Sequence, residues 1–109
     1  MKGIFASFAV AALVMSCAQA PTLTKSGLDP ENFVAEHDDA KTALYTLTNK
    51  SGMEVCITNF GGRIVSVMVP DRNGDFKDVV LGFDKVSDYF PENNKTDFGA
   101  SIGRYANRI

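Results

Sequence analysis

Between Thr42 and Phe83 apolar residues recur at every second position, and turn-forming clusters break the alternation at Asn49-Lys-Ser-Gly52, Asn59-Phe-Gly-Gly62 and Pro70-Asp-Arg-Asn-Gly-Asp75. A period of two sends successive side chains to opposite faces of an extended chain, so the stretch reads as short antiparallel strands joined by tight turns. Thr42 to Thr48 is the first strand and pairs as a hairpin with Met53 to Thr58. Met53, Val55 and Ile57 share one face of the second strand, leaving Glu54, Cys56 and Thr58 on the other, which predicts a half-exposed Cys56. In Arg63 to Val69, Val65, Val67 and Val69 oppose Ile64, Ser66 and Met68; apolar residues on both faces predict a central strand covered on two sides. The Pro70 to Asp75 turn, with Asn73-Gly74 able to take positive φ, leads to a returning strand from Lys77 to Phe83. Asp84 to Asp97 then reads as loop with one helical turn around Val86 to Phe90, Tyr89 and Phe90 forming a lid over a sheet edge. The fold class is all-β.

The amino terminus has a different character. Lys2 gives a short positive start, Ile4 to Met15 is an apolar run broken only by Ser7, and small residues follow. Such a run is too short to span a bilayer, which takes about 20 residues, and it marks residues 1–20 as a cleavable signal segment. Two processing sites compete. Val14-Met-Ser-Cys17 has the form of a bacterial lipobox, with cleavage before Cys17 and lipidation of that thiol; Ala18-Gln-Ala20 has the small-x-small form of ordinary cleavage. The lipobox is preferred because Pro21 follows the ordinary cut directly. The chain is then expected to be exported to a bacterial cell envelope, as a lipoprotein held at the membrane through Cys17 or, with the ordinary cut, as a periplasmic protein. Residues 21–41 read as a tether leading into the domain. Within them Asp29-Pro-Glu-Asn-Phe33 can form one helical turn, Asp29 capping, Pro30 in the first helical position and Phe33 docking on the body.

Composition narrows the partners. A chain of 109 residues holds one small domain at most, and its formal net charge of -2 lacks the basic face a nucleic-acid partner needs. Cys17 and Cys56 are the only cysteines, so a lipidated or removed Cys17 leaves one thiol and no internal disulfide. His37, the one histidine, sits in the acidic run Glu36-His-Asp-Asp39, which reads as solvated surface, so neither a metal nor a cofactor is expected.

The end of the chain, Phe98-Gly-Ala-Ser-Ile-Gly-Arg-Tyr-Ala-Asn-Arg-Ile109, concentrates its recognition chemistry. Gly99 and Gly103 permit close backbone approach, and Arg104, Asn107 and Arg108 supply donors in fixed geometry. A polyhydroxylated ligand, whose hydroxyls both donate and accept, suits such a set. The same residue types also pair with carboxylates and cap backbone groups.

Gly103-Arg-Tyr-Ala-Asn-Arg-Ile109, preceded by Phe98-Gly99, resembles the signature of the aldose 1-epimerases, or galactose mutarotases. The likeness runs back through Asp78-Val-Val-Leu-Gly-Phe-Asp84, Val69-Pro-Asp-Arg72, Ile57-Thr-Asn-Phe-Gly-Gly-Arg-Ile64 and Leu47-Thr-Asn49, in the family's order and spacing. The resemblance implies that residues 42–109 are the amino-terminal part of a large antiparallel β-sandwich, a mutarotase-like supersandwich, following the signal segment. It implies an isomerase that interconverts the α and β anomers of a free hexose, with Asn107 and Arg108 contacting sugar hydroxyls and Arg104 supporting them from behind. The histidine acid and glutamate base of the family lie later than the matched region, and no counterpart occurs in this chain, which should be inactive alone. The alternative is a carbohydrate-binding β-sandwich lipoprotein without catalysis, since folds outlive their chemistry.

Overall fold

The computed structural model describes residues 22–103. Its architecture follows from two hairpin turns of the same construction. Asn49 Oδ1 accepts from the Ser51 and Met53 N–H groups at 3.0 Å, and Asp71 Oδ1 accepts from Asn73 N at 2.7 Å and Asp75 N at 3.0 Å. In each turn a backbone N–H three residues on returns to the first carbonyl, Gly52 to Asn49 and Gly74 to Asp71. Both glycines have positive φ, 82° and 83°, the left-handed position that closes a three-residue hairpin loop.

These turns join four strands into an antiparallel sheet. After a small hairpin of β1 (Glu36–His37) and β2 (Ala40–Lys41), the sheet comprises β3 (Leu44–Thr48), β4 (Glu54–Thr58), β5 (Arg63–Pro70) and β6 (Phe76–Asp78), in the order β3-β4-β5-β6. The β3–β4 hairpin pairs Leu44 with Thr58 through Thr48 with Glu54, as the alternation predicted. The β1–β2 hairpin was not anticipated. Asp38 and Asp39 both take positive φ, 49° and 61°, so the acidic run read as plain surface is a tight turn.

The two faces are the reverse of what apolarity ranks. Glu54, Cys56 and Thr58 point inward and are buried, and Cys56 is fully enclosed rather than half-exposed. Val55 and Ile57 share the opposite face with Tyr45 and Leu47, which are 55% and 59% exposed. The inward polar groups are satisfied by the segment that crosses them. Glu54 Oε2 accepts from Lys25 N at 3.0 Å, Ser66 and Ser26 hydroxyls meet at 2.9 Å, and Cys56 Sγ donates to Glu54 Oε1 at 3.7 Å. Because buried polar groups with partners cost little, these positions can face inward.

β5 departs from strict alternation. Cys56 pairs with Ser66 but Ile57 pairs with Ile64, so Val65 is an extra residue in the strand, a β-bulge. The bulge turns both Val65 and Ser66 inward, and from there Met68 is buried while Val67 and Val69 lie on the more open face. The expected phase, with Val65 and Val67 together, holds only without the bulge. β5 is interior to the sheet, paired with β4 and β6, while its cover lies on one face. β6 ends at Asp78 instead of running to Phe83. Val79 N still donates to Val67 O at 3.0 Å, but Asp78 Oδ1 takes the Val67 N–H at 3.1 Å and also accepts from Val80 N at 3.1 Å, so a carboxylate stands in for the returning backbone carbonyl and the strand ends.

The core forms between the inward face and two 3-10 turns. In the first, Pro30–Phe33, Asp29 caps by accepting from Glu31 N, Pro30 opens the turn, and Phe33 is completely buried. Thr42 Oγ1 holds the following chain by donating to Phe33 O at 2.7 Å and accepting from Ala35 N at 3.0 Å. Residues expected as a tether thus supply a covering layer from Thr24 onward. The second turn, Val86–Tyr89, places Val86, Tyr89 and Phe90 in the same core as Leu28, Phe33, Cys56 and Val65. Tyr89 and Phe90 are therefore core residues rather than an edge lid. Burial pushes the Tyr89 phenol above its ordinary ionisation range, against the pull of the Phe83 N–H that it accepts at 2.9 Å.

Phe33→Ala should empty the completely buried position at which the amino-terminal layer joins the core and cost about 3–5 kcal/mol. Urea unfolding of the full gene product measures it; a loss below about 1 kcal/mol, the range of ordinary surface changes, would contradict the docking of this layer.

Candidate functional site

A chain that must present several donors to a ligand needs its presenting segment held from outside, because a loop fixes little by itself. Residues 96–101 are held in this way by the start of β5. Arg63 Nη1 donates to Thr96 O and to Phe98 O, each at 3.1 Å. Ile64 N donates to Gly99 O at 2.9 Å, and Ser101 Oγ donates to Gly62 O at 2.5 Å.

Gly99 explains how the two backbones come so close. Its φ is +65°, and a Cβ there would stand 2.0 Å from Ile64 O. No other residue type fits without moving the segment. Inside the segment, Ala100 N donates to Asp97 O at 3.0 Å, which rounds the turn before Ser101. On the other flank the Phe98 ring stacks on Phe83 at 5.6 Å between centroids, and Phe83 meets Tyr89 edge-on at 5.1 Å. Backbone, guanidinium and aromatic contacts therefore converge on the chain that enters Gly103.

Arg63 also lines a cleft of about 280 Å³ with Tyr89, Asn94, Lys95, Thr96 and Asp97. Its guanidinium carbon lies 5.5 Å from the Tyr89 ring centroid, within range of a cation–π contact. Among the described residues, the buried Arg63 Nε has no acceptor. At the other end of the loop His37 lies against Phe90 and Phe60, at 4.2 and 5.3 Å, with Glu92 Oε1 3.3 Å from Nε2 and Asp38 Oδ2 3.3 Å from Nδ1. Its imidazole thus joins the β1–β2 hairpin to the later loop. Among the described residues no three His, Cys, Asp or Glu side chains gather as a metal site.

Of the residues singled out from sequence, Arg104, Asn107 and Arg108 lie outside the described residues, and so does Cys17. What the structure adds is the anchoring of the segment leading to the first three. Arg63 carried no role in the sequence reading. Its signal was a strand-opening arginine after Gly61-Gly62, but its acceptors lie 33 and 35 residues away.

Comparison with known proteins bears on the same region. A model of the aldose 1-epimerase family matches residues 43–109. A probable aldose 1-epimerase of Arthroderma benhamiae is 50% identical over 52 residues, covering 46% of this chain and 12% of that protein. The aldose 1-epimerase of Escherichia coli is 38% identical over 66 residues, 61% of this chain and 18% of its own length. The galactose mutarotase of Bos taurus is 44% identical over 57 residues, 52% of this chain and 16% of its own. The chain thus spans less than a fifth of the length of each of these three relatives. No solved structure matches it. With a family match that begins at the first strand of the sheet and runs through Gly103-Arg-Tyr-Ala-Asn-Arg-Ile109, the chain belongs to the aldose 1-epimerase family.

Proposed function

We propose that this chain is the amino-terminal part of an exported aldose 1-epimerase and that it contributes one wall of the sugar site. The observation that carries this reading is the family match from residue 43 to residue 109, a range that takes in the donor-rich heptapeptide. Anomers interconvert when the ring opens and recloses on the other face. A base takes the proton of the anomeric hydroxyl while an acid protonates the ring oxygen, and the two groups need separated pKa values around one sugar.

In this reading the acid and base come from the part of the protein beyond this chain, and Asn107 and Arg108 orient the sugar between them. Arg108 offers two parallel donors to neighbouring sugar oxygens, Asn107 adds a neutral donor and acceptor, and Arg104 supports both. No cofactor enters, since both transfers are of protons. The exposed apolar face of Tyr45 and Leu47 supports the placement of this sheet as one layer of a sandwich.

Arg108→Lys in the complete protein should lower kcat/KM about tenfold to a hundredfold, the loss of one charged hydrogen bond at about 1.5–3 kcal/mol. Polarimetry of fresh α-glucose and α-galactose, with melting temperature on the same samples, measures it. Parental turnover by a variant that melts early would make Arg108 a scaffold residue. A complete protein that binds hexose but leaves the polarimetric rate unchanged would favour the non-catalytic binder.

The leader supports attachment to the cell envelope through a lipid on Cys17. Expressed in a bacterium with its own leader, the protein should incorporate labelled fatty acid, and Cys17→Ala should abolish the label. A soluble product beginning at Pro21 would contradict the anchor.

A further inference from the structure

We infer that Arg63 is a positioning residue for the sugar site, acting through segment 96–103 on the heptapeptide that follows. This rests on the sugar-site reading above and extends it to a side chain on a different strand. A single nitrogen, Arg63 Nη1, holds two carbonyls of one segment, Thr96 O and Phe98 O. Two acceptors on alternate residues fix both the position and the roll of that stretch about its axis. The neighbouring Ile64 N–H then holds Gly99 O, so one end of β5 clamps three carbonyls within four residues.

The hydrogen bonds of the clamp go to the segment, and its contact with the core is the Tyr89 ring. Among the described residues the buried Arg63 Nε has no acceptor, so the hydrogen bonds this side chain makes are those of Nη1 to the segment. The guanidinium lies over the Tyr89 ring and Phe98 stacks on Phe83, so the segment is held by an aromatic contact as well as by hydrogen bonds. Arg108 follows Gly103 by five residues. The held segment thus ends one residue before Arg104 and five before Arg108, and in this reading its placement sets the point from which those residues start.

The test is a double-mutant cycle in the complete protein, using Arg63→Met, Arg108→Lys and the pair, read as kcat, KM and melting temperature with α-galactose. Misplacement of a sugar by about 1 Å can cost on the order of a hundredfold. Arg63→Met should lower kcat/KM by roughly tenfold to a hundredfold, with kcat and KM both affected, and Arg63→Lys should do so less. Because Arg63 acts through the segment bearing Arg108, the pair should lose little more than the worse single variant. If the two losses multiply, or if Arg63→Met keeps parental efficiency, the inference is overturned while the site reading stands. If Arg108→Lys itself keeps parental efficiency, the site reading is overturned and Arg63 loses its target. Should Arg63→Met fail to fold, Arg63→Lys carries the same cycle.

Discussion

The strand on which everything else depends is β5, because it answers to three neighbours at once. β4 and β6 take its two edges, and its opening residues bind segment 96–101. A regular strand would meet the first two demands by simple alternation. The bulge at Val65 changes the phase in mid-strand, so that residues before it and after it can be aimed independently. The carboxyl-terminal half places Ser66 and Met68 inward, whereas the opening turn carries Arg63 and Ile64 to the segment that precedes the heptapeptide.

The inward face is a second constraint with consequences for order. Glu54, Thr58 and Ser66 could not face a purely apolar layer, since each needs a partner once water is removed. The amino-terminal layer supplies them in part as backbone and hydroxyl groups, Lys25 N to Glu54 and Ser26 to Ser66, while Lys25 Nζ sits 3.8 Å from the Phe76 ring centroid and donates to Gly52 O. Phe33 and Leu28 add the apolar contact beside these bonds. The result is a layer that must seat in one register, because a shift would leave buried oxygens unpaired.

What could be read from sequence was what local chemistry decides. Asn49 with Gly52 and Asp71 with Gly74 announce their turns within a few residues, and Asp29-Pro30 announces the first 3-10 turn. Phe33 was legible for the same reason. The bulge was not, because a period-two count has no marker for one added residue. Cys56 was misplaced because Met53, Val55 and Ile57 outrank Glu54, Cys56 and Thr58 in apolarity, and the partners that reverse the ranking lie about thirty residues upstream. The end of β6 depended on a side chain, Asp78, taking a backbone N–H across the sheet. The heptapeptide was legible by family resemblance, whereas the contacts of Arg63 were not, since they join residues far apart in sequence.

The proposed role of this sheet is to hold the heptapeptide toward a sugar. A crystal structure of the complete protein with a hexose bound tests it most directly. The account predicts Asn107 and Arg108 within hydrogen-bonding distance of sugar hydroxyls, with Ile64 N still on Gly99 O and Arg63 still on Thr96 O and Phe98 O. A sugar bound away from these residues, with the Arg108 guanidinium paired to a protein carboxylate, would contradict it.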